Sequence, residues 1–457
     1  MFCLAVKNKK SVYYVDMEQG NDLMEKIVSL CKRRGFIYQG SEIYGGLAGT
    51  WDYGPLGVAL KNNIKNTWWR LFVEGRDDMY GIDAAILMSP KVWEASGHVS
   101  GFSDPLVECE KCKRRFRADQ IEVGENGIQS CPDCGAKLGA SRQFNMMFKT
   151  HIGATEDESS VSYLRPETAG GIFVNFKNVM DSFHPKLPFG IGQVGKAFRN
   201  EIAPRDFIFR VREFEQMEIE YFIRPSEWEA KFEEWRAAVH EFNAAIGIPK
   251  AQVHELEVLQ EDRAFYSKRT IDFEFDFPFG RKELYGLAYR TDYDLSAHEK
   301  GSGQHLRYSD EGEESFVPHV IEPSFGVDRA VLAVLASAYT EDELGGEKRV
   351  YLKLKPSVAP VKAAVFPLLK NKPELVAKAR EIYIALKKEI PQIMWDDNGN
   401  IGKRYRRQDE IGTPWCVTVD FDTLENGTVT VRDRDTGQQE RVSAAELAKL
   451  FSEKIKV

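Results

Sequence analysis

The chain is most constrained by two runs separated by a turn. Phe198-Arg199-Asn200-Glu201 and Phe209-Arg210-Val211-Arg212-Glu213-Phe214-Glu215-Gln216-Met217-Glu218-Ile219-Glu220 flank Ala203-Pro204-Arg205-Asp206. Both runs read as strands, and Pro204 and Asp206 are turn formers, so a hairpin is the natural reading. Side chains alternate along a strand. Arg212, Phe214, Gln216, Glu218 and Glu220 then share one face; Val211, Met217, Ile219 and Tyr221 lie on the other, as core. Arg199 and Glu201 share a face in the same way. Always-charged arginine forks suit phosphates, a phenylalanine offers a stacking face for a base, and a carboxylate can hold an ammonium group. A solvated strand face with paired charges has the same pattern, and the residues of the hairpin alone leave both readings open.

The wider chain supplies the distinction. Phe198-Arg199-Asn200-Glu201 with Val211-Arg212-Glu213-Phe214 resembles motif 2 of class II aminoacyl-tRNA synthetases. Three further stretches resemble the dimeric glycyl type of that family: Trp51-Asp52-Tyr53-Gly54-Pro55-Leu56-Gly57, Arg165-Pro166-Glu167-Thr168-Ala169-Gly170-Gly171, and Glu322-Pro323-Ser324-Phe325-Gly326-Val327-Asp328-Arg329. The resemblance runs from about Asn21 to the C-terminus. It implies an α+β catalytic domain, an antiparallel sheet flanked by helices, over residues 17–355, and a C-terminal α/β anticodon-binding domain over 356–457.

A chain of 457 residues suffices for two to four domains. Its net charge of −8 excludes a uniformly basic nucleic-acid coat, so RNA contacts must come from local patches. No apolar run approaches membrane-spanning length. The first ten residues put an apolar stretch before lysines, the reverse of a secretory signal, and the chain reads as cytoplasmic. Residues 1–16 match nothing in the family and are set apart as an extension before Met17.

Helical spacing of Leu23, Ile27 and Leu30 predicts a helix over 22–34, stopped by Gly35. A second helix is expected over 58–72; the resemblance makes its approach, with Pro55, part of a homodimer interface. Cys109-x2-Cys112, eighteen residues, then Cys131-x2-Cys134 is zinc-ribbon spacing, expected over residues 105–140, with four thiolates filling a structural site. Four reduced, unliganded thiols are the alternative. Seven cysteines with two tight pairs do not suit a secreted disulfide framework. An insertion over 225–268 carries an amphipathic helix with Ser226 and Glu229 as a capping box, a stripe of Trp228, Phe232, Trp235, Val239, Phe242 and Ile246, and Gly247 as its end. Ile271 to Phe277 alternates as a half-exposed strand whose acids, Asp272, Glu274 and Asp276, receive no catalytic role.

Past Pro356 and Pro360, strands are expected at 361–368 and 416–421. A helix is marked by Leu375, Ala379, Ile382 and Leu386. A hairpin turn is expected at Asn426-Gly427, and a last helix carries Leu447, Leu450 and Phe451. Lys403, Arg404, Arg406 and Arg407 surround Tyr405 in a stretch read as a loop, a composition suited to phosphates and an unstacked base; a solvated loop is the alternative.

The resemblance implies an enzyme that joins glycine to tRNA(Gly) through glycyl-adenylate, with ATP, Mg2+ and structural Zn2+. Arg199 would act at the α-phosphate, and Arg210 and Arg329 at the outer phosphates. Phe214 would lie against adenine. Asn200, Glu201, Phe209, Val211, Arg212, Glu283, Leu284, Gly326 and Asp328 would complete the ATP site, with Glu201, Glu283 and Glu322 as candidates for adenine or magnesium. Arg117, Glu167, Phe214, Gln216, Glu218, Glu322 and Ser324 would surround glycine, and Lys403, Arg404, Arg406 and Arg407 would hold tRNA. Motifs 2 and 3 alone also fit a threonyl, prolyl or histidyl type, or a catalytically inactive RNA-binding relative. The Arg165–Gly171 and Glu322–Ser324 stretches favour glycine, and intact Arg199, Glu201 and Arg329 favour an active enzyme.

Overall fold

The computed structural model describes residues 17–121, 123, 129–310, 312 and 314–455; the extension set apart at 1–16 lies outside the described residues. The first helix, α1, spans Met17–Arg34 and stops at Gly35, whose φ of 77° is the left-handed value that favours glycine. The next, α2, covers Pro55–Trp69 with its proline at the first turn, where the missing N–H costs nothing, and runs into a π-helical turn at Arg70–Glu74. Gly57 is obligatory here: a Cβ would lie 1.8 Å from the carbonyl oxygen of Phe36.

A seven-stranded sheet forms the centre. Its strands are β1 (Met79–Ile82), β2 (Phe189–Phe198), β3 (Glu213–Ile223), β4 (Val253–Glu257), β5 (Arg269–Phe277), β6 (Gly280–Thr291) and β7 (His319–Gly326), in the order β4-β5-β6-β7-β3-β2-β1. All neighbours are antiparallel except β1 and β2. The odd positions of β3 (Met217, Ile219, Tyr221) join the main core with Trp68 of α2, Trp235 and Phe242 of a long helix at Trp228–Ile246, and Val331 of the helix Val327–Ala338. Phe222, on the even face, joins a second core with Phe173 of the helix Ala169–Phe183 and Leu295 of the helix Tyr293–Ser302. Each of these fully buried large side chains contributes roughly 1.5–3 kcal/mol of apolar burial.

Several local expectations are corrected. The strands β2 and β3 end at Phe198 and begin at Glu213, so Arg199–Glu201 and Phe209–Arg212 belong to a long loop rather than to strands. That loop is held from outside: Arg212 donates from its backbone N to Gly49 O and from Nη1 to Ala48 O, and Phe207 packs edge-on against Trp51 at 4.7 Å. The Ser226/Glu229 capping box does not form. A short 3-10 turn at Pro225–Glu227 precedes the helix, and the Glu227 carboxylate accepts from the backbone N of Arg224. The stripe of that helix and its stop at Gly247 are as expected, with all but the half-buried Trp228 in the core.

The C-terminal region has a sheet of Ala363–Pro367, Ile393–Trp395, Trp415–Val419, Thr428–Asp433 and Gln439–Ser443, with the Ala363 strand parallel to both its neighbours and the last two pairings antiparallel. Helices Pro373–Glu389 and Leu447–Ile455 cover its apolar face. The strand expected at 416–421 ends at Val419, because Asp420 caps a short helix, Phe421–Asn426. Gly427 is the left-handed residue that ends this helix, not part of a hairpin turn. The basic stretch expected as a loop is a helix, Ile401–Glu410, capped by Asn400.

Candidate active site

Even positions of β3, the ends of β6 and β7 and the 199–212 loop enclose a cavity of about 570 Å³. Every catalytic-domain residue expected at the site lines it except Asn200 and Arg212. Arg212 is spent on the carbonyls of Ala48 and Glu201, and the backbone N of Asn200 donates to Met146 O.

One end of the cavity is acidic. Register pairs Glu218 of β3 with Ser324 of β7, and Ser324 Oγ donates to Glu218 Oε1 at 2.7 Å. Thr168, at the start of its helix, donates from Oγ1 to Glu218 Oε2 at 2.5 Å and from its backbone N to Gln216 Oε1 at 3.2 Å. Glu167 lies 3.4 Å from His98 Nε2. Burial alone would raise the Glu167 pKa, but His98, with Arg290 and Arg199 beyond, holds it at about 2. Burial raises Glu218, and the charge of Glu167 adds to that. Glu322 accepts from Arg290 Nη1 at 2.7 Å, while Arg290 Nε and Nη2 hold Asp294, each at 2.7 Å. Arg290 sits 3.8 Å from the centre of the Tyr266 ring.

The other end is basic. Arg199 donates from Nε to Pro166 O, and its guanidinium lies between the rings of Phe102 and Phe214, 5.3 Å from each centre. Its Nη groups have no partner among the described residues. Arg210 stands 3.7 Å from Glu201. Arg329, in the first turn of its helix, pairs with Glu283 at 3.0 Å and lies 4.5 Å over Phe209. Arg117 is part of the cavity wall and pairs with Asp104 and Asp119 at 2.6 and 2.7 Å. Asp328 borders the cavity, but its carboxylate accepts from Tyr53 Oη and from the backbone N of Glu215.

Some site groups lay beyond the sequence reading. His98, Phe102, Asp104 and Tyr266 come from segments with no periodic signal. Asp272, denied a role in the alternating strand, faces the cavity beside Glu283, and burial, then that neighbouring charge, pushes it to about 7. Arg290 could have been found as the charge that directly follows the apolar run from Leu284 to Tyr289.

The four cysteine Sγ atoms at 109, 112, 131 and 134 lie within 4.8 Å of one another, with Cys109–Cys134 at 3.5 Å and Cys112–Cys131 at 3.6 Å. Sulfurs bound tetrahedrally at about 2.3 Å from zinc stand about 3.8 Å apart, so the cluster fits that ion.

The residues expected to hold tRNA are arranged otherwise. Arg404 is 1% exposed, and its guanidinium donates to the carbonyls of Pro367, Asp397 and Gly399. Arg407 pairs with Asp396 at 2.8 Å, and Arg406 with Glu347 and Lys348 O. Arg404 is thus buried and spent on backbone, Arg406 and Arg407 hold ion pairs at the surface, and Lys403 is the most exposed of the four.

Residues 148–338 match the family described as tRNA synthetase class II core domain (G, H, P, S and T), and residues 362–454 match the anticodon binding domain. The chain is 53% identical to a glycine–tRNA ligase of Clostridium acetobutylicum over 95% of this chain and 99% of the relative. It is 51% identical to one of Caldanaerobacter subterraneus subsp. tengcongensis (95% and 98%) and 50% identical to one of Thermobifida fusca (96% and 99%). A class II core, an anticodon-binding domain and a cavity acidic at one end and basic at the other thus occur in one chain, which belongs to the glycine–tRNA ligase family.

Proposed function

We propose that the chain activates glycine with ATP and passes the glycyl group to the 3′ end of tRNA(Gly), using the cavity between β3, β6 and β7. The observation that carries this is the sorting of charge: Glu167, Glu218 and Glu322 at one end, Arg199, Arg210 and Arg329 at the other. The glycine ammonium belongs among the carboxylates. Ser324 and Thr168 hold Glu218 in place, and Arg290 holds Glu322. The glycine carboxylate, already ionised, attacks the α-phosphate of ATP; the new bond is carboxyl oxygen to phosphorus, and pyrophosphate leaves. No protein nucleophile is needed, and positioning and charge stabilisation dominate. Arg199 suits the α-phosphate because two rings fix its plane while its Nη groups stay open. Arg210 and Arg329 take the outer phosphates, and Phe214 and Phe209 the apolar part of the nucleotide. The terminal ribose hydroxyl of tRNA then attacks the glycyl carbonyl, and AMP leaves.

Glu283 and Asp272, offset on the paired strands β6 and β5 and both lining the cavity, are the carboxylates that would hold magnesium, which neutralises charge on the phosphates when bound. The cysteine ribbon would hold one structural zinc. The exposed Ile43, Tyr44 and Leu47, beside the first family motif, support a homodimer. No helix among the described residues is long and apolar enough to cross a membrane, in keeping with a cytoplasmic site of action.

Pyrophosphate exchange with a panel of amino acids tests the reading. Glycine supports exchange. Alanine is refused, because carboxylates occupy the space around the α-carbon and a clash discriminates better than the 1–3 kcal/mol that a methyl contributes when a pocket must merely bind it. Exchange with alanine at a rate near that with glycine would overturn the pocket assignment.

A further inference from the structure

Beneath the acidic end lies a carboxyl group that the reaction as described does not use. Glu220 is 0% exposed, and neither of its oxygens has a hydrogen-bond partner. It follows Glu218 on the same face of β3, so it points toward the floor of the pocket rather than into the main core. The antiparallel register that pairs Glu218 with Ser324 and Tyr221 with Ile321 sets Glu220 opposite Glu322. Below it the same face passes into the apolar cluster of Phe222, Phe173 and Leu295. The charged groups that act on it are Glu218 on its own strand, Glu322 on β7, Arg290 on β6 and Asp294 at the start of the following helix. On its other side, β2 contributes Ile191 opposite Glu220 and the neutral Gln193 opposite Glu218.

Glu167, Glu218, Glu220, Glu322 and Asp294 crowd around Arg290, with His98 at the edge. Arg290 is already committed to Asp294 and Glu322. Two desolvated carboxylates facing each other cannot both be ionised without a cation between them.

We propose that the facing pair Glu220–Glu322 holds a shared proton in the empty pocket and that the glycine ammonium displaces it, so that glycine binding releases a proton to solvent. At the acidic end one positive charge enters and one leaves, so the charge of that end is unchanged, while the glycine carboxylate lies toward the arginines. Glu220 is then a positioning residue: it does not touch glycine, but it ties ionisation of Glu322 to arrival of the ligand. Burial and the charge of Glu322 raise Glu220 well above the ordinary carboxylate range, and burial pushes Glu322 up to about 8 even with Arg290 beside it. A proton lost on binding makes affinity rise with pH, so glycine should bind more tightly as pH is raised from 6 to 8.

This inference rests on the acidic end being the seat of the glycine ammonium. The test is calorimetry of glycine binding to the full-length protein at pH 7 in phosphate and in Tris, buffers of very different ionisation enthalpy. The expected result is a binding enthalpy that differs between buffers by an amount corresponding to release of half a proton or more per glycine. In Glu220→Gln the facing group is an amide that carries no titratable proton and can donate to the Glu322 carboxylate, so release falls at least twofold while glycine still binds. A wild-type enthalpy independent of buffer overturns the proposal without any variant and leaves the pocket assignment standing. Equal release by Glu220→Gln overturns the role of Glu220. Absence of glycine binding overturns the pocket assignment and this inference with it.

Discussion

Two regions of this protein are rich in arginine, and they use it in opposite ways. In the catalytic cavity, Arg199 spends only Nε on the protein and lies 5.3 Å from the centres of two rings, with its Nη groups open. In the helix Ile401–Glu410, Arg404 spends itself on three carbonyls, and Arg406 and Arg407 are paired. The same helix presents Asp409, 1% exposed, to Arg349 of the hairpin 339–352 and Arg432 of the C-terminal sheet, at 3.2 and 2.8 Å. Its last residue, Glu410, accepts from Arg34 of the first helix. The first region offers charge to a ligand, whereas the second uses charge inside the anticodon-binding domain and, through Arg406, Asp409 and Glu410, to fasten it to the hairpin 339–352 and the first helix. What separates them is the supply of neighbouring acceptors, which composition does not reveal.

The largest effect is expected where charge fastens. Asp409→Ala strands the buried Arg432 without its counter-charge, while Arg349 keeps Asp342, and breaking a buried pair in this way costs about 3–5 kcal/mol. Chemical denaturation should show the C-terminal domain unfolding at much lower denaturant. An unchanged midpoint would mean that water or another acid replaces Asp409, and the contrast between the regions would fail. Next comes the offering region. Arg199→Ala should lower glycine-dependent pyrophosphate exchange about 10²–10³-fold, the loss typical of one preorganised charge-stabilising donor, with the unfolding midpoint nearly unchanged. A stability loss of the same size as that from Asp409→Ala would place Arg199 among the structural arginines.

The sequence made the catalytic half more legible than the C-terminal half, for a physical reason. Alternation along β3 correctly set Phe214, Gln216 and Glu218 on one face, because strand period is local. The stripe from Trp228 to Ile246 announced its helix for the same reason. The cysteine spacing correctly placed four thiols together. What escaped was set by partners distant in sequence. Glu227 displaced Glu229 as the residue that closes the helix start. Asp272 became a cavity group because β6 sets the side-chain-free Gly286 opposite it at the cavity wall. Arg212 left the site because Ala48 and Glu201 offered carbonyls. The 401–410 stretch reads as a loop when its glycine and charges are weighed one by one. Its high charge conceals a buried side of Arg404, Gln408 and Asp409, whose partners lie as far away as Arg349 and Arg432.

A smaller, local effect is expected from the ribbon. Cys112→Ser should abolish stoichiometric zinc by elemental analysis and open residues 105–140 to protease, because metal binding at such sites is coupled to local folding. The central sheet keeps its own core, so the main unfolding transition should move little. Zinc-free wild-type protein with an intact, protease-resistant ribbon would overturn the structural-zinc assignment.

The smallest effect sharpens the contrast most. If the charges of the 401–410 helix are fastenings, Arg407→Ala removes a pair with Asp396 that is part-exposed, and tRNA affinity should change less than about twofold, since such pairs contribute about 0–1 kcal/mol. Lys403 is exposed and has no side-chain partner among the described residues. If this helix meets the RNA backbone at all, Lys403→Ala should weaken binding and reduce the slope of log affinity against log salt by about one. The two variants lie four residues apart on one helix, so a general disturbance of the domain would affect both. A tenfold loss with Arg407→Ala and none with Lys403→Ala would show that the Asp396 pair opens to let Arg407 reach phosphate. The helix would then be a surface that exchanges internal partners for RNA, and the division between offered and fastening charge would hold only for the free protein.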